Sequence, residues 1–216
     1  MALAAAPTLA CAQTQTPTAY IEGSVGVRFS SDVQTKNYTF VVPPDTASGH
    51  AELNYGTNVV IGAELGIADL VGDGNWRFGV SYDYTQFNLD SVRFVGTVNG
   101  VPGSVTVSDS DVRSAGFNFD NTVHIVMGNI YYNLPVIRDA FRPYVGLGAG
   151  AAFIEHADTE FAFNVSAGIR MALGPSAYVG LRYRFIRVEG PTDELGIQYK
   201  PITAHTISAV VGFYFP

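Results

Sequence analysis

The strongest constraint on this chain is a period-two alternation of apolar with small or polar residues, repeated in eight separate segments. Successive side chains of a β-strand point to opposite faces, so each segment predicts a strand with two chemically different faces. No run approaches the roughly 18 apolar residues that a membrane-spanning helix needs. The predicted strands cover residues 19–30, 57–67, 76–87, 122–134, 143–153, 161–171, 177–185 and 205–215.

The connections between these strands alternate in length. Longer segments lie at residues 31–56, 88–121, 154–160 and 188–203, although the third of them is short. Tight joints lie between them at residues 68–75, 135–142 and 173–176. This rhythm predicts an all-β fold, namely an eight-stranded antiparallel up-and-down barrel with both termini at the end of the short turns. The predicted strands have about 9 to 13 residues, and a tilted strand needs roughly 9–11 to cross a bilayer.

One predicted strand, residues 122–134, has an ambiguous parity. Ile130, Tyr132 and Leu134 would place His124 on the apolar side of the strand. An extra residue in one strand changes which face the following side chains occupy, so we expect a β-bulge there.

The glycines indicate which face of the barrel lies inside. A solvated outer surface gains nothing from many glycines, whereas the narrow interior of an eight-stranded barrel needs small residues where the backbone is crowded. The polar face is therefore expected to line the lumen and the apolar face to meet lipid, which makes the barrel transmembrane. The ten strand glycines that share the parity of the strand charges are Gly26, Gly62, Gly66, Gly79, Gly146, Gly148, Gly150, Gly168, Gly180 and Gly212.

The strand charges follow the glycines, with only Arg187 on the opposite face. Five arginines and three carboxylates on one face can pair with one another away from lipid. We therefore predict a charge network that plugs the lumen, formed by Glu22, Arg28, Glu64, Arg77, Asp83, Arg170, Arg182 and Arg184. Interface girdles are expected from those members of an aromatic set that face lipid near strand ends: Tyr20, Trp76, Tyr82, Tyr84, Tyr132, Tyr178, Tyr183 and Tyr214.

The charge and the cysteine count argue against a nucleic-acid partner, a disulfide and a cysteine zinc site. The net charge is −7 and the sequence pI is about 4.9, so a nucleic-acid partner is not expected. The acidity lies on the four longer connections, which carry a combined charge of −9. Cys11 is the only cysteine, so neither an internal disulfide nor a cysteine zinc site can form.

The N-terminus predicts export. Residues 1–12 are small and apolar and end in Ala10-Cys11-Ala12, which fits an A-x-A cleavage site, so we interpret them as the remnant of a secretory signal peptide. Residues 13–18 are rich in Gln, Thr and Pro and are expected to form a flexible leader. The predicted barrel domain covers residues 19–216.

Four segments together resemble the small eight-stranded outer-membrane barrels of the OmpA-like and opacity-protein type, including surface antigens of some intracellular bacteria. They are residues 129–134, 142–150, 180–184 and 212–215. The resemblance implies a bacterial outer-membrane location reached through the periplasm, surrounded by lipid and lipopolysaccharide. It also implies that function resides in the exposed loops.

The same resemblance implies insertion by the barrel-assembly machinery. The family's C-terminal assembly signal, an alternating strand that ends in an aromatic residue, maps onto Val211, Phe213 and Phe215. Pro216 follows the last phenylalanine and departs from the family pattern.

Motifs for other chemistries are weak. Residues 146–151 satisfy G-x-G-x-x-A, but no helix pattern follows, so we interpret these glycines as lining the lumen. Glu155, His156 and Asp158 are interpreted as a solvated acidic turn rather than a cation site. No cofactor or metal is predicted.

An enzyme and a channel are the alternatives to a structural role. His205 and Ser208 are three residues apart on one strand and should point to opposite faces, so a hydrolase site cannot be assembled from them. An outer-membrane hydrolase is therefore the second alternative, behind a narrow solute or ion channel. The leading hypothesis is a non-enzymatic envelope protein.

The second long connection predicts a projecting hairpin. Residues 96–103 are rich in glycine and are flanked by alternating valines at 92–95 and 105–107. Such a loop suits adhesion to host or neighbouring cells, or a surface-antigen role. Loops that only cover the barrel mouth are the alternative.

Overall fold

The computed structural model describes residues 17–42, 44–69, 74–116, 120–137, 141–193 and 196–215. The expected signal remnant and most of the expected leader lie outside these ranges. The helix α1, Asp109–Ser114, is the only one in the described ranges, and it is too short to span a membrane. The strands are β1 Thr18–Ser30, β2 Val33–Gln34, β3 Tyr38–Val42, β4 Asp45–Tyr55, β5 Asn58–Ala68, β6 Trp76–Phe87, β7 Leu89–Val98, β8 Val101–Ser108, β9 Asn121–Asn133, β10 Phe141–Ile154, β11 Glu160–Ala172, β12 Ala177–Val188 and β13 Ile202–Phe215.

Eight of these strands form a closed antiparallel barrel in the order β1-β13-β12-β11-β10-β9-β6-β5, with β5 paired back to β1. They are the eight strands that alternation predicted, and the predicted fold class is confirmed. Closure starts from β1, where Glu22 lies opposite Glu64 on one side and Gly212 on the other. The closed sheet leaves no barrel edge to face lipid.

The two faces of the barrel separate as the parity predicts. On β1, Glu22 and Arg28 are buried inside, whereas Val25 and Phe29 are exposed outside. The same alternation continues around the barrel, and the exposed apolar side chains form its outer surface. Residues 146–151 lie within β10 as lumen-side glycines and outward apolar residues, and no helix follows them.

The expected bulge near His124 is wrong. β9 pairs with both β6 and β10 residue for residue, without a register shift. His124 therefore lies on the outer face, where its Nδ1 atom lies 2.6 Å from the Tyr82 hydroxyl. The second outward histidine is held the same way, since His205 Nδ1 lies 2.7 Å from the Tyr183 hydroxyl. These hydrogen bonds let a polar ring occupy the apolar face.

The outer aromatic residues form two groups at opposite ends of the barrel. Trp76 and Tyr132 pack edge to face at 5.0 Å at the end of the short turns. Tyr82, Tyr84 and Tyr183 lie at the other end, beside the two outward histidines. The remaining members of the sequence-based set do not face lipid, because Tyr20, Tyr178 and Tyr214 point into the lumen.

The first two long connections form a second sheet above the barrel, whereas the sequence predicts only the hairpin in the second of them. Its order is β2-β4-β7-β8, and β3 also pairs with β4. The predicted hairpin is confirmed as β7 and β8, joined by Asn99 and Gly100 at positive φ angles of 50° and 80°. The pairing of β4 with β7 was not predicted, because it joins segments separated by two barrel strands.

Helix α1 fastens the end of this sheet. Arg113 bridges Asp109 at 2.7 Å and Asp120 at 2.6 Å. Burial raises the pKa of Asp120, but hydrogen bonds from the Arg113 guanidinium and the Leu89 amide outweigh it and hold that pKa below its ordinary value. Val112 of the same helix is buried against the sheet.

The hairpin tip can be tested at Gly100. Gly100→Ala places a side chain at a φ of +80°, which costs about 1 kcal/mol for an L-residue. We expect faster amide exchange across the β7–β8 tip, with the barrel amides unchanged. Gly103→Ala is the matched control, because a Cβ there meets no atom within 4 Å and needs no positive φ. Equal exchange in both variants would contradict the assignment of this turn.

Candidate functional site in the barrel lumen

Arg77 is the centre of the lumen. It is 0% exposed, and its guanidinium lies between the rings of three tyrosines on three different strands. The ring centroids are 4.9 Å away for Tyr20, 4.4 Å for Tyr131 and 5.2 Å for Tyr144. Cation–π contacts of this kind strengthen when water is excluded. The guanidinium and the three rings pack together inside the barrel at this level.

Two glutamates hold the arginines around this centre. Glu22 accepts hydrogen bonds from Arg182 at 2.7 Å, Tyr178 at 2.8 Å and Arg77 at 3.4 Å. Glu64 accepts from the hydroxyls of Tyr131 at 2.5 Å and Tyr20 at 2.6 Å, and it lies 3.7 Å from Arg182. Buried carboxylates need such dense hydrogen bonding to offset the cost of leaving water.

A second layer lies nearer the long connections. Asp83 accepts a short hydrogen bond from Arg184 and lies 3.9 Å from Arg28. Arg28 also donates from Nε to Thr206 at 3.2 Å. At the opposite end of the lumen, Arg170 donates to the Tyr214 hydroxyl at 2.7 Å and to Asn133.

The structure places all eight predicted charged residues inside the barrel and brings seven of them within ion-pair distance of one another. Arg170 is the exception, because its partners are a tyrosine, an asparagine and aromatic rings. Five buried arginines thus face three buried carboxylates. The lumen keeps an excess of positive charge even though the whole chain is acidic.

The lumen tyrosines are not part of the predicted charge network, although their parity places them on the glycine side of the strands. Tyr20 shares the parity of Glu22, and Tyr178 shares that of Gly180. Each of four rings occupies the space above a glycine of a neighbouring strand, where a Cβ would collide with it. These ring and glycine pairs are Tyr20 with Gly66, Tyr131 with Gly146, Tyr144 with Gly168, and Tyr178 with Gly212.

The lumen is polar over only part of its length. Near the long connections the inward side chains become apolar, a change that the charge and glycine parity do not predict. They form a buried cluster of Val123, Ile125, Met127, Ala152, Ala162, Ile186 and Val188, here called the lumen cap. A second cluster joins the outer sheet to this cap through Phe87 and Ile202, and consists of Val33, Leu53, Tyr55, Leu89, Val92 and Val112.

His205 and Ser208 do not come together as a hydrolase site in the structure. His205 lies outside the barrel and Ser208 inside, as expected from their spacing. Within the described ranges there is no group of three or more His, Cys, Asp and Glu side chains suited to a metal ion. Glu155 instead accepts a hydrogen bond from the Thr122 amide at 3.3 Å.

A closed eight-stranded barrel with an apolar outer belt and a polar, charge-paired lumen defines a transmembrane β-barrel protein. Residues 1–215 match the model of the outer membrane protein beta-barrel domain family. The chain therefore belongs to this family, and the protein is located in the bacterial outer membrane.

Solved structures share the fold at low sequence identity. Neisserial surface protein A is 13% identical, with a TM-score of 0.55 over 93% of this chain and 100% of that chain. The outer membrane protein OprG from Pseudomonas aeruginosa is 12% identical, with a TM-score of 0.53 over 94% of this chain and 98% of that chain. A search of curated protein sequences found no match. At these identities the likeness establishes the fold alone.

The central ion pairs can be tested by Arg77→Met. The variant leaves Glu22 buried with one cation fewer, and breaking a buried pair costs about 3–5 kcal/mol. We expect that loss in the free energy of unfolding, measured by urea titration of the protein folded in lipid vesicles. Arg187→Met is the matched control, because Arg187 lies on the outer face, 41% exposed, and should cost under about 1 kcal/mol. Similar losses for both variants would contradict a central role for Arg77.

The ring-over-glycine packing can be tested by a double-mutant cycle. Gly212→Ala places a methyl group against the Tyr178 ring, whose atoms are the three nearest to it. We expect the substitution to destabilise the barrel by about 1–3 kcal/mol, as overpacking does, and to cost much less in a Tyr178→Ala background. Gly23→Ala, where a Cβ meets no atom within 4 Å, is the control. An unchanged cost of Gly212→Ala without the ring would contradict the packing argument.

Proposed function

We propose that this protein is a non-conducting, non-enzymatic envelope barrel whose outer sheet contacts molecules at the cell surface. The carrying observation is the apolar face of the β7–β8 hairpin. Its half near the barrel is buried, with Val92 packed against Leu53 and Val107. Its far half continues the same pattern into solvent, where Phe94 is 49% and Val101 is 70% exposed.

The exposed apolar side chains of the far half lie on one face of the hairpin. Phe94 pairs with Val105, and Val98 pairs with Val101, so all four side chains lie on the same face of the hairpin. β8 is also an edge strand of its sheet, which leaves one row of backbone groups open to pairing. An apolar face beside an open strand edge is typical of surfaces that bind another protein. This favours an adhesive or antigenic contact with a protein on a host or neighbouring cell.

The packed lumen supports the non-conducting part of the proposal. In the Arg77 layer three tyrosine rings pack against the buried guanidinium, and the lumen cap adds an apolar layer on the side of the long connections. Eight-stranded barrels have interiors just wide enough for side chains to fill. We therefore expect no single-channel current steps from the purified protein in planar lipid bilayers. Steady current steps would contradict the non-conducting lumen.

We also propose the partners of the outer wall. Tyr82, Tyr84 and Tyr183, with the two histidines, would meet lipid and lipopolysaccharide head groups at the outer interface. Val211, Phe213 and Phe215 are exposed on the outer face of β13 and would serve as the signal for the barrel-assembly machinery.

The adhesive role is tested by polar substitution of the apolar face. Bacteria that display the Phe94→Ser/Val105→Ser variant should bind cultured animal cells or a bacterial cell layer several-fold less than those displaying the parent protein. Val41→Ser is the control, because Val41 is 67% exposed on the opposite face of the same sheet. Heat-dependent gel mobility verifies that each barrel is folded. Equal binding by all three displayed proteins would overturn the adhesive role.

A further inference from the structure

A cavity of about 410 Å³ lies between the barrel and the outer sheet. Its walls come from distant parts of the chain, with Leu53 and Tyr55 on β4, Ile186 on β12 and Tyr199 before β13. The walls are mainly apolar side chains of the lumen cap and of the cluster above it. Small-molecule sites are typically mostly apolar cavities of about 300–1,000 Å³ with a few convergent polar groups. The cavity therefore has the size and lining of a ligand site.

One polar group of this cavity is buried and incompletely bound. Arg28 lines the cavity and is 1% exposed. Among the described residues its Nη2 atom has no hydrogen-bond partner, and its nearest carboxylate, Asp83, is 3.9 Å away. Asp83 is already bound more closely by Arg184. Arg184 also lies 4.0 Å from Glu64, whereas in the described part of the chain Arg28 has no carboxylate other than Asp83 within 4.0 Å.

The two acidic residues that line the cavity, Glu155 and Asp193, already accept hydrogen bonds, unlike Arg28 Nη2, which has no partner in the described ranges. Glu155 is about half exposed, accepts from the Thr122 amide and lies near His156. Asp193 accepts from the Tyr199 hydroxyl at 3.1 Å and from the Ile197 amide at 2.8 Å. Both carboxylates already accept hydrogen bonds. Arg28 Nη2 is therefore the donor in this cavity that lacks an acceptor among the residues that the structure describes. Burial raises the pKa of Tyr55 to about 12, so that wall residue is neutral at physiological pH.

We propose that this cavity binds a single-chain amphiphilic carboxylate, a fatty acid, with its head group on Arg28 and its chain against the apolar walls. The carboxylate supplies the acceptor that Arg28 Nη2 lacks and adds a negative charge beside Arg28, whose nearest carboxylate, Asp83, is 3.9 Å away and is bound more closely by Arg184. A charge-assisted hydrogen bond in a dry site offsets the loss of head-group hydration. The chain gains the free energy of apolar burial. The site lies beneath the outer sheet and is independent of the adhesive face.

The test uses the full-length protein folded in lipid nanodiscs and dodecanoate labelled with ¹³C at the carboxyl carbon. We expect saturable binding of one molecule per protein in the ¹³C NMR spectrum, above the partition into empty nanodiscs. Arg28→Met should raise the dissociation constant for dodecanoate at least tenfold. Arg187→Met removes an arginine that lies on the outer face of β12 and does not line the cavity, so it should leave the dissociation constant unchanged.

A second measurement varies the ligand and keeps the protein intact, which covers the case in which Arg28→Met does not fold. Methyl dodecanoate has the same chain without the charge, and it should bind at least tenfold more weakly than dodecanoate. Absence of saturable binding would overturn the proposal, as would equal binding of the ester and the acid. Dodecyl phosphate binding in place of dodecanoate would overturn the assignment of a carboxylate head group.

Discussion

Closure of the sheet is the constraint on which the rest of this molecule depends. In lipid, every backbone N–H and C=O group needs a partner from the protein, and only a closed sheet supplies one for each strand. Here β1 pairs with β13 on one side and β5 on the other, which joins the two ends of the chain's barrel segment. Closure at eight strands then fixes a narrow interior, and that interior has to be filled with side chains.

The filling combines charge with shape. Arg77 stacks among tyrosine rings while Glu22 and Glu64 accept from the surrounding arginines and hydroxyls. The rings fit because glycines on the neighbouring strands leave room, as with Tyr178 above Gly212. Glycine therefore has two consequences in this barrel: it weakens strand packing locally and it admits a large aromatic residue from the next strand. The balance explains why tyrosine and glycine share one parity.

The outer sheet and the lumen cap show how the barrel ends on the side of the long connections. Polar pairing stops at Asp83 and Arg28, and apolar residues such as Ile125 and Ile186 continue upward into a second core beneath β4 and β7. This core covers the barrel mouth and supports the projecting hairpin. Arg28 lies at the boundary between the charged layer and the apolar layer, where it lines a cavity. The far half of the hairpin extends past this core, so its apolar side chains are exposed.

Much of the fold follows from the sequence, because a period of two and the lengths of the connections are local properties. Alternation predicts the eight barrel strands and the hairpin around Asn99 and Gly100, and the parity of the strand glycines adds the inward face of Glu22 and Arg184. Which inward residues meet is different, because Tyr178 and Glu22 are 156 residues apart and touch only after closure. The pairing of β4 with β7, the unshifted register at His124 and the cavity above Arg28 also required the tertiary structure. Each depends on distances across the barrel or between its connections, and a pattern along one strand does not contain them.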